Sequence, residues 1–272
     1  MLPLNFHKTF IPERRLIADI LDYAAKGKQG NYQEISSDTG IPMGKSSGKV
    51  PAIIDYARGM GLIKLVDNNS SIKKPVLTLF GKTVYAEDKF LGEEITQWLA
   101  HMNLCRSDIG AKVWNAVFAE GRNILGSTFS EEELESYLIK IFGAGKRRTG
   151  PLVLTYIEDA GFSRAGVLTK EGDIIYREKA PIKDAYSIGY SAHVLSLLET
   201  IFPGDTQITL DDFNKRTKWF DICLWSSSDL ERVLSLMETK GYISVDRQMQ
   251  PWILEKRADV KLAWQHIWDE IA

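Results

Sequence analysis

The sequence predicts a mainly helical α+β fold of tandem winged helix-turn-helix modules joined by a helical region. Three observations predict it. The first 80 residues read as helix, short helix, turn, helix and β-hairpin. The segment around the third helix recurs a hundred residues later. An amphipathic helix handing over through glycine to an apolar strand comes round once more near Gly241. An apolar share of 44% and a charged share of 26% suit a globular chain rather than a disordered one. The length of 272 residues suits roughly two domains, and the module pattern divides it at 1–90, 91–180 and 181–272.

The first module is read element by element. From Arg14 to Lys26, the residues Leu16, Ile17, Ile20, Leu21 and Ala24 recur on one helical face, and Gly27 ends the run. Asn31 with Glu34 three residues on has capping-box spacing and opens a short helix to about Asp38. Gly40-Ile41-Pro42 turns the chain into a third helix, from about Ser46 to Met60, stopped by Gly61. Pro51 falls inside it and should kink or shorten it. Leu62–Val66 and Pro75–Leu79 flank the polar Asp67–Ser71 as a hairpin, the wing.

Pro51, Tyr56 and Gly61 coincide in spacing with Pro151, Tyr156 and Gly161, and a second hairpin candidate surrounds Lys170–Asp173. Ser130 with Glu133 caps the helix before this unit. The third copy is fainter: Leu230–Met237, then Gly241-Tyr242-Ile243. Apolar helices over Ile95–Met102 and Lys112–Phe118 link the modules. A Trp-rich helix from Val260 to Ile271 closes the chain and is expected to pack on its own domain.

Charge is uneven. Residues 1–90 carry 13 Lys+Arg against 9 Asp+Glu, whereas 181–272 carry 10 against 14. A basic head implies an anionic partner at the N-terminal end. No apolar run approaches the roughly 18 residues of a membrane span, and no signal peptide is read, so a cytoplasmic location is expected. Cys105 and Cys223 are expected to be buried thiols.

Catalytic signatures fail on spacing. Gly44-Lys45-Ser46 lacks the first glycine of a phosphate loop, since position 39 is Thr. His7, His101, His193 and His266 are scattered, and no zinc-ligand spacing occurs. Glu131, Glu132, Glu133 and Glu135 sit in a first helical turn, where carboxylates favour the dipole. No enzyme activity, metal or cofactor is therefore expected.

Several short motifs carry a family resemblance. Phe6-His7-Lys8-Thr9-Phe10 looks like a His-x-Thr-Phe opening, and Leu77-Thr78-Leu79-Phe80-Gly81 like a Leu-Thr-x-x-Gly signature. Glu87–Leu91 with Glu94–His101 resembles an Asp-x-x-Leu and Ala-Thr-x-Trp-Leu-x-His block, although Ile95-Thr96 replaces its Ala-Thr and a common proline before it is missing. Trp114–Phe118 and Phe129–Leu134 follow in order. Over residues 6–160 the chain is similar to the bacterial domain-of-unknown-function family 4007. That resemblance implies an accessory role beside sulfurtransferase-like enzymes in DNA-modification or antiphage loci. It transfers no catalytic residue.

Helical geometry then predicts the contact surface. If the third helix buries Val50, Ile53, Ile54 and Ala57, its opposite face presents Lys45, Gly48, Ala52 and Asp55, flanked by Lys49 and Tyr56. No side chain there suits bidentate base reading, so double-stranded DNA should be held by its backbone. The expected contacts are Lys45, Ser46, Ser47 and Lys49, with Lys73 and Lys74 from the wing. Lys146, Arg147 and Arg148 form a second basic cluster, equally readable as a solvated loop. A partner protein, a sulfurtransferase-like enzyme, is expected as well. A protein adaptor that binds no DNA, or a transcriptional regulator, would use the same fold.

Overall fold

A computed structural model describes residues 1–43, 48–145 and 148–271. The chain mixes helices with small antiparallel sheets and divides into two compact units, Met1–Glu178 and Lys179–Ala272.

One order of elements is used three times. In the first copy, helix α1 (Arg14–Ala25) leads to Gly30, which bridges antiparallel to Lys73. Helices α2 (Tyr32–Thr39) and α3 (Lys49–Gly59) follow, then strands β1 (Ile63–Leu65) and β2 (Pro75–Leu77). Helices α4 (Leu79–Glu87) and α5 (Glu94–Leu104) lead on. The second copy opens with α6 (Lys112–Trp114), a π-helical stretch over Asn115–Glu120 and α7 (Arg122–Leu125). It continues through β3 (Thr128–Ser130), α8 (Glu131–Phe142), α9 (Thr149–Ile157), β4 (Leu168–Glu171) and β5 (Ile174–Arg177). The third copy runs α10 (Ser187–Ile201), β6 (Gln207–Thr209), α11 (Leu210–Thr217), α12 (Trp219–Cys223) and α13 (Ser227–Thr239). It closes with β7 (Ile243–Asp246), β8 (Ile253–Lys256) and α14 (Val260–Gln265).

The sheets repeat too. β5 lies between β3 and β4, and β8 between β6 and β7. The first copy reduces its outer strand to the Gly30–Lys73 bridge beside β2. In each copy an oxygen-bearing residue caps the next helix: Asn31 and Ser130 in full capping boxes, Thr209 by accepting from the Asp212 N–H.

Pro51 does not kink its helix. The helix begins at Lys49, so Pro51 is its third residue, where the missing N–H has no intrahelical partner to lose. Pro151 takes the same place in α9. The face of α3 predicted to be open is a second correction. Gly48, Ala52 and Tyr56 are buried, and α3 packs against α1, α2, β1 and α5. Only Lys49, Pro51, Asp55 and Arg58 of α3 stay partly exposed, so most of the helix is core.

Phe6 and His7, His101 and Trp114, from three of the motifs that carry the resemblance, meet in one buried junction of the first unit. Tyr56 and Tyr156, the matching tyrosines of two copies, both reach Trp114: its ring lies 5.9 Å edge-on from Tyr56, and its indole N–H donates to the Tyr156 hydroxyl at 3.0 Å. Phe6 and His7 pack on the same tryptophan. His101 Nδ1 lies 2.6 Å from the Tyr156 hydroxyl, and burial pushes the His101 pKa well below its ordinary value, with Arg177 adding to the effect.

In the second unit, Tyr190, Phe213, Trp219 and Trp225 form the aromatic core. The closing helix packs on α10, with the Trp264 indole donating to Ser196 Oγ at 2.8 Å; it ends at Gln265, short of the predicted Ile271. Both cysteines are buried thiols. No helix among the described residues is long and apolar enough to cross a membrane.

Candidate nucleic-acid interface

The predicted contact residues scatter into different environments. Lys45, Ser46, Ser47, Lys146 and Arg147 lie outside the described residues. Lys49 is half-buried, paired with Glu13 and set over the Phe10 ring at 5.7 Å. Lys73 is only 8% exposed. Its ammonium donates to the carbonyls of Asn68 at 2.9 Å and Ser70 at 2.6 Å, which fastens the hairpin turn from inside. Arg148 is also buried, donating to the Gly143 carbonyl at 3.1 Å and lying over the Phe142 ring. Lys73 and Arg148 thus hold turns together, whereas Lys74 is exposed. Asp55 pairs with Arg58 at 2.6 Å; burial nevertheless raises its carboxyl pKa.

Sequence reasoning missed Lys64. The register opposes Lys64 to Val76 and Leu65 to Pro75. Because strand side chains alternate, Lys64, Val66, Lys74 and Val76 share the outer face, and Ile63, Leu65 and Pro75 face inward. Lys64 and Lys74 are therefore diagonal neighbours on an open surface, with Val66 66% exposed between them. Apolar residues on both sides of Lys64 in Leu62–Val66 were the available signal.

The other hairpins differ. In the second, Lys170 pairs with Glu131 at 2.6 Å, and Arg177 is buried over Phe118. In the third, Arg247, Lys256 and Arg257 pair with Glu238, Glu199 and Glu255. Helix α13, which stands in the third copy where α3 stands in the first, exposes Glu231 beside Arg232 and Ser235. Among the described residues, the two lysines on the outer face of the first hairpin enter no ion pair.

What emerges is an α+β protein in which a helix, a short strand or bridge, two or three helices and a hairpin recur three times. Two solved structures share its fold. Both are of SspB, one of them bound to magnesium ion, with TM-scores of 0.68 and 0.67 at 15% and 16% identity. Each alignment covers 99% of this chain and 88% of the other. No protein-family model matches the chain, and no curated protein matches it. Among the described residues no three His, Cys, Asp or Glu side chains gather as metal donors.

Proposed function

We propose that the chain is a non-catalytic DNA-binding accessory protein of a bacterial DNA-modification or antiphage defence system, built from three winged-helix modules. It grips the DNA backbone through its first module and brings a partner enzyme to it. The module reading is supported by the threefold element order and by sheets in which the last strand lies between the other two. The family 4007 resemblance supports the biological setting.

The observation that carries DNA contact is the pair Lys64 and Lys74, exposed and unpaired on the outer face of the first hairpin. With most of α3 packed into the core, the wing becomes the contact surface in place of a helix in the major groove. Such contacts neutralise phosphates and read no base.

Binding of a short duplex across a salt series tests this reading. Lys64→Glu with Lys74→Glu should weaken binding at least tenfold and reduce the salt slope by about two. A double variant that binds as the parent does would sink the placement, and a parent that binds no duplex at low salt would sink DNA binding itself.

A protein adaptor is the second reading. The acidic α13 and the exposed Ile139, Ile141, Leu154 and Ile157 of α8 and α9 favour a protein partner for those parts. Pull-down by a chain that binds no duplex would select it.

A further inference from the structure

The second unit holds a groove of about 590 Å³ between α11, α12, the start of α13 and the β7–β8 hairpin. Its walls bring together Trp252, Phe220, Leu210 and Leu230 with the cations Lys215 and Lys218. That volume falls in the range of small-ligand sites, which pair apolar walls with a few placed polar groups. We infer that this groove takes one unstacked nucleotide of single-stranded DNA, its base against Trp252 and its phosphate at Lys215 and Lys218.

The lining supports this occupant over others. Trp252 is half-buried, and Arg247 lies over its ring at 5.3 Å. Arg247 is in turn tied to Glu238, so the indole is a fixed platform rather than a swinging side chain. Base–aromatic stacking is tolerant of sequence because every base has a π-face. Asp211 and Gln250 also line the groove and supply an acceptor and an amide for a base edge.

Charge points the same way. Residues 179–272 carry 11 Lys+Arg and 14 Asp+Glu, and Lys179, Lys240, Arg247, Lys256 and Arg257 are held in ion pairs. Lys215 is not, among the described residues, so an acidic unit keeps an open cation beside its aromatic groove. Lys218 holds a left-handed backbone at φ 54°, a conformation a side chain adopts at a cost, where the chain turns from α11 into α12. An acidic peptide would satisfy the lysines but would match the flat Trp252 face only where it carries an aromatic side chain, whereas every nucleotide brings a planar base.

The inference takes its ligand class from the DNA-binding reading, yet it concerns a different surface, so the two can fail separately. The experiment is anisotropy of a fluorescein-labelled oligothymidylate of about ten nucleotides on the full chain. A labelled duplex and an acidic, phenylalanine-containing peptide serve as parallel probes. Trp252→Ala should weaken single-strand binding about 5- to 150-fold, Trp252→Phe should keep most of it, and Lys215→Glu should weaken it several-fold. The duplex should bind all three variants as it binds the parent, and matching thermal midpoints exclude misfolding. Single-strand affinity equal in Trp252→Ala, Lys215→Glu and the parent overturns the inference. So does an absence of single-strand binding, or Trp252-dependent capture of the peptide alone. Loss of duplex binding by the parent would count against the proposed function and leave the single-strand result to stand by itself.

Discussion

At the scale of single residues, Gly81 shows what the Leu-Thr-x-x-Gly motif does. A Cβ built there would lie 1.8 Å from the Leu62 carbonyl oxygen. Three residues earlier, Thr78 donates its hydroxyl to the Gly61 carbonyl at 2.6 Å and accepts from the Gly81 N–H at 2.9 Å. The motif clamps the end of the first hairpin onto the chain entering it. Gly81→Ala should therefore destabilise by about 1–3 kcal/mol or more; a thermal midpoint within a degree of the parent would contradict the clamp. His101 gives a pH signature. Folded, it is held neutral; unfolded, it takes up a proton below its ordinary pKa of 6.5. The unfolded state then binds more protons, so stability falls as pH drops through that value, by about 1.4 kcal/mol per pH unit for this imidazole. His7, whose pKa burial also lowers, adds to the slope in the same direction. Denaturant unfolding between pH 7 and 5 measures the slope, and His101→Gln should flatten it.

At the scale of elements, the proline at the third position of α3 and of α9 tests how these helices begin. Pro51→Ala should change stability by no more than about 1 kcal/mol, through the freedom of the unfolded chain. A proline inside the helix would cost about 3 kcal/mol, so a large gain on its removal would refute the assigned start. The helices themselves were legible: apolar spacing marked α1, and the Asn31 and Ser130 boxes marked where α2 and α8 begin. Their faces were less so. Local periodicity in α3 separates Val50, Ile53, Ile54 and Ala57 from the rest, but Ala52 and Tyr56 are buried by residues distant in sequence. Small residues such as Gly48 and Ala52 read equally as room for a groove or room for protein. The same limit hid the roles of Lys73 and Arg148, since sequence shows a charge but not the carbonyls around it. The groove at Trp252 could not be seen at all, because it joins residues 210–218 to the turn at 250–252 across a folded sheet.

At the scale of the whole molecule, the division falls at one peptide bond. Glu178 donates its N–H to Val167 in the first unit, whereas Ala180 donates to Cys223 in the second. Calorimetry should accordingly resolve two transitions, and the fragment 179–272 should fold when expressed alone. A fragment 1–90 should not, because it would leave Phe6, Ala52 and Tyr56 without Trp114 and α5. A cooperative melt for 1–90 would refute this.

The shared tryptophan also bears on how such a chain can change over generations. Two copies of one ancestral segment that each rested on its own core could be shuffled, lost or replaced singly. Once Tyr56 and Tyr156 both depend on Trp114, neither copy can be exchanged without opening the other. The first two copies should then be inherited as one block.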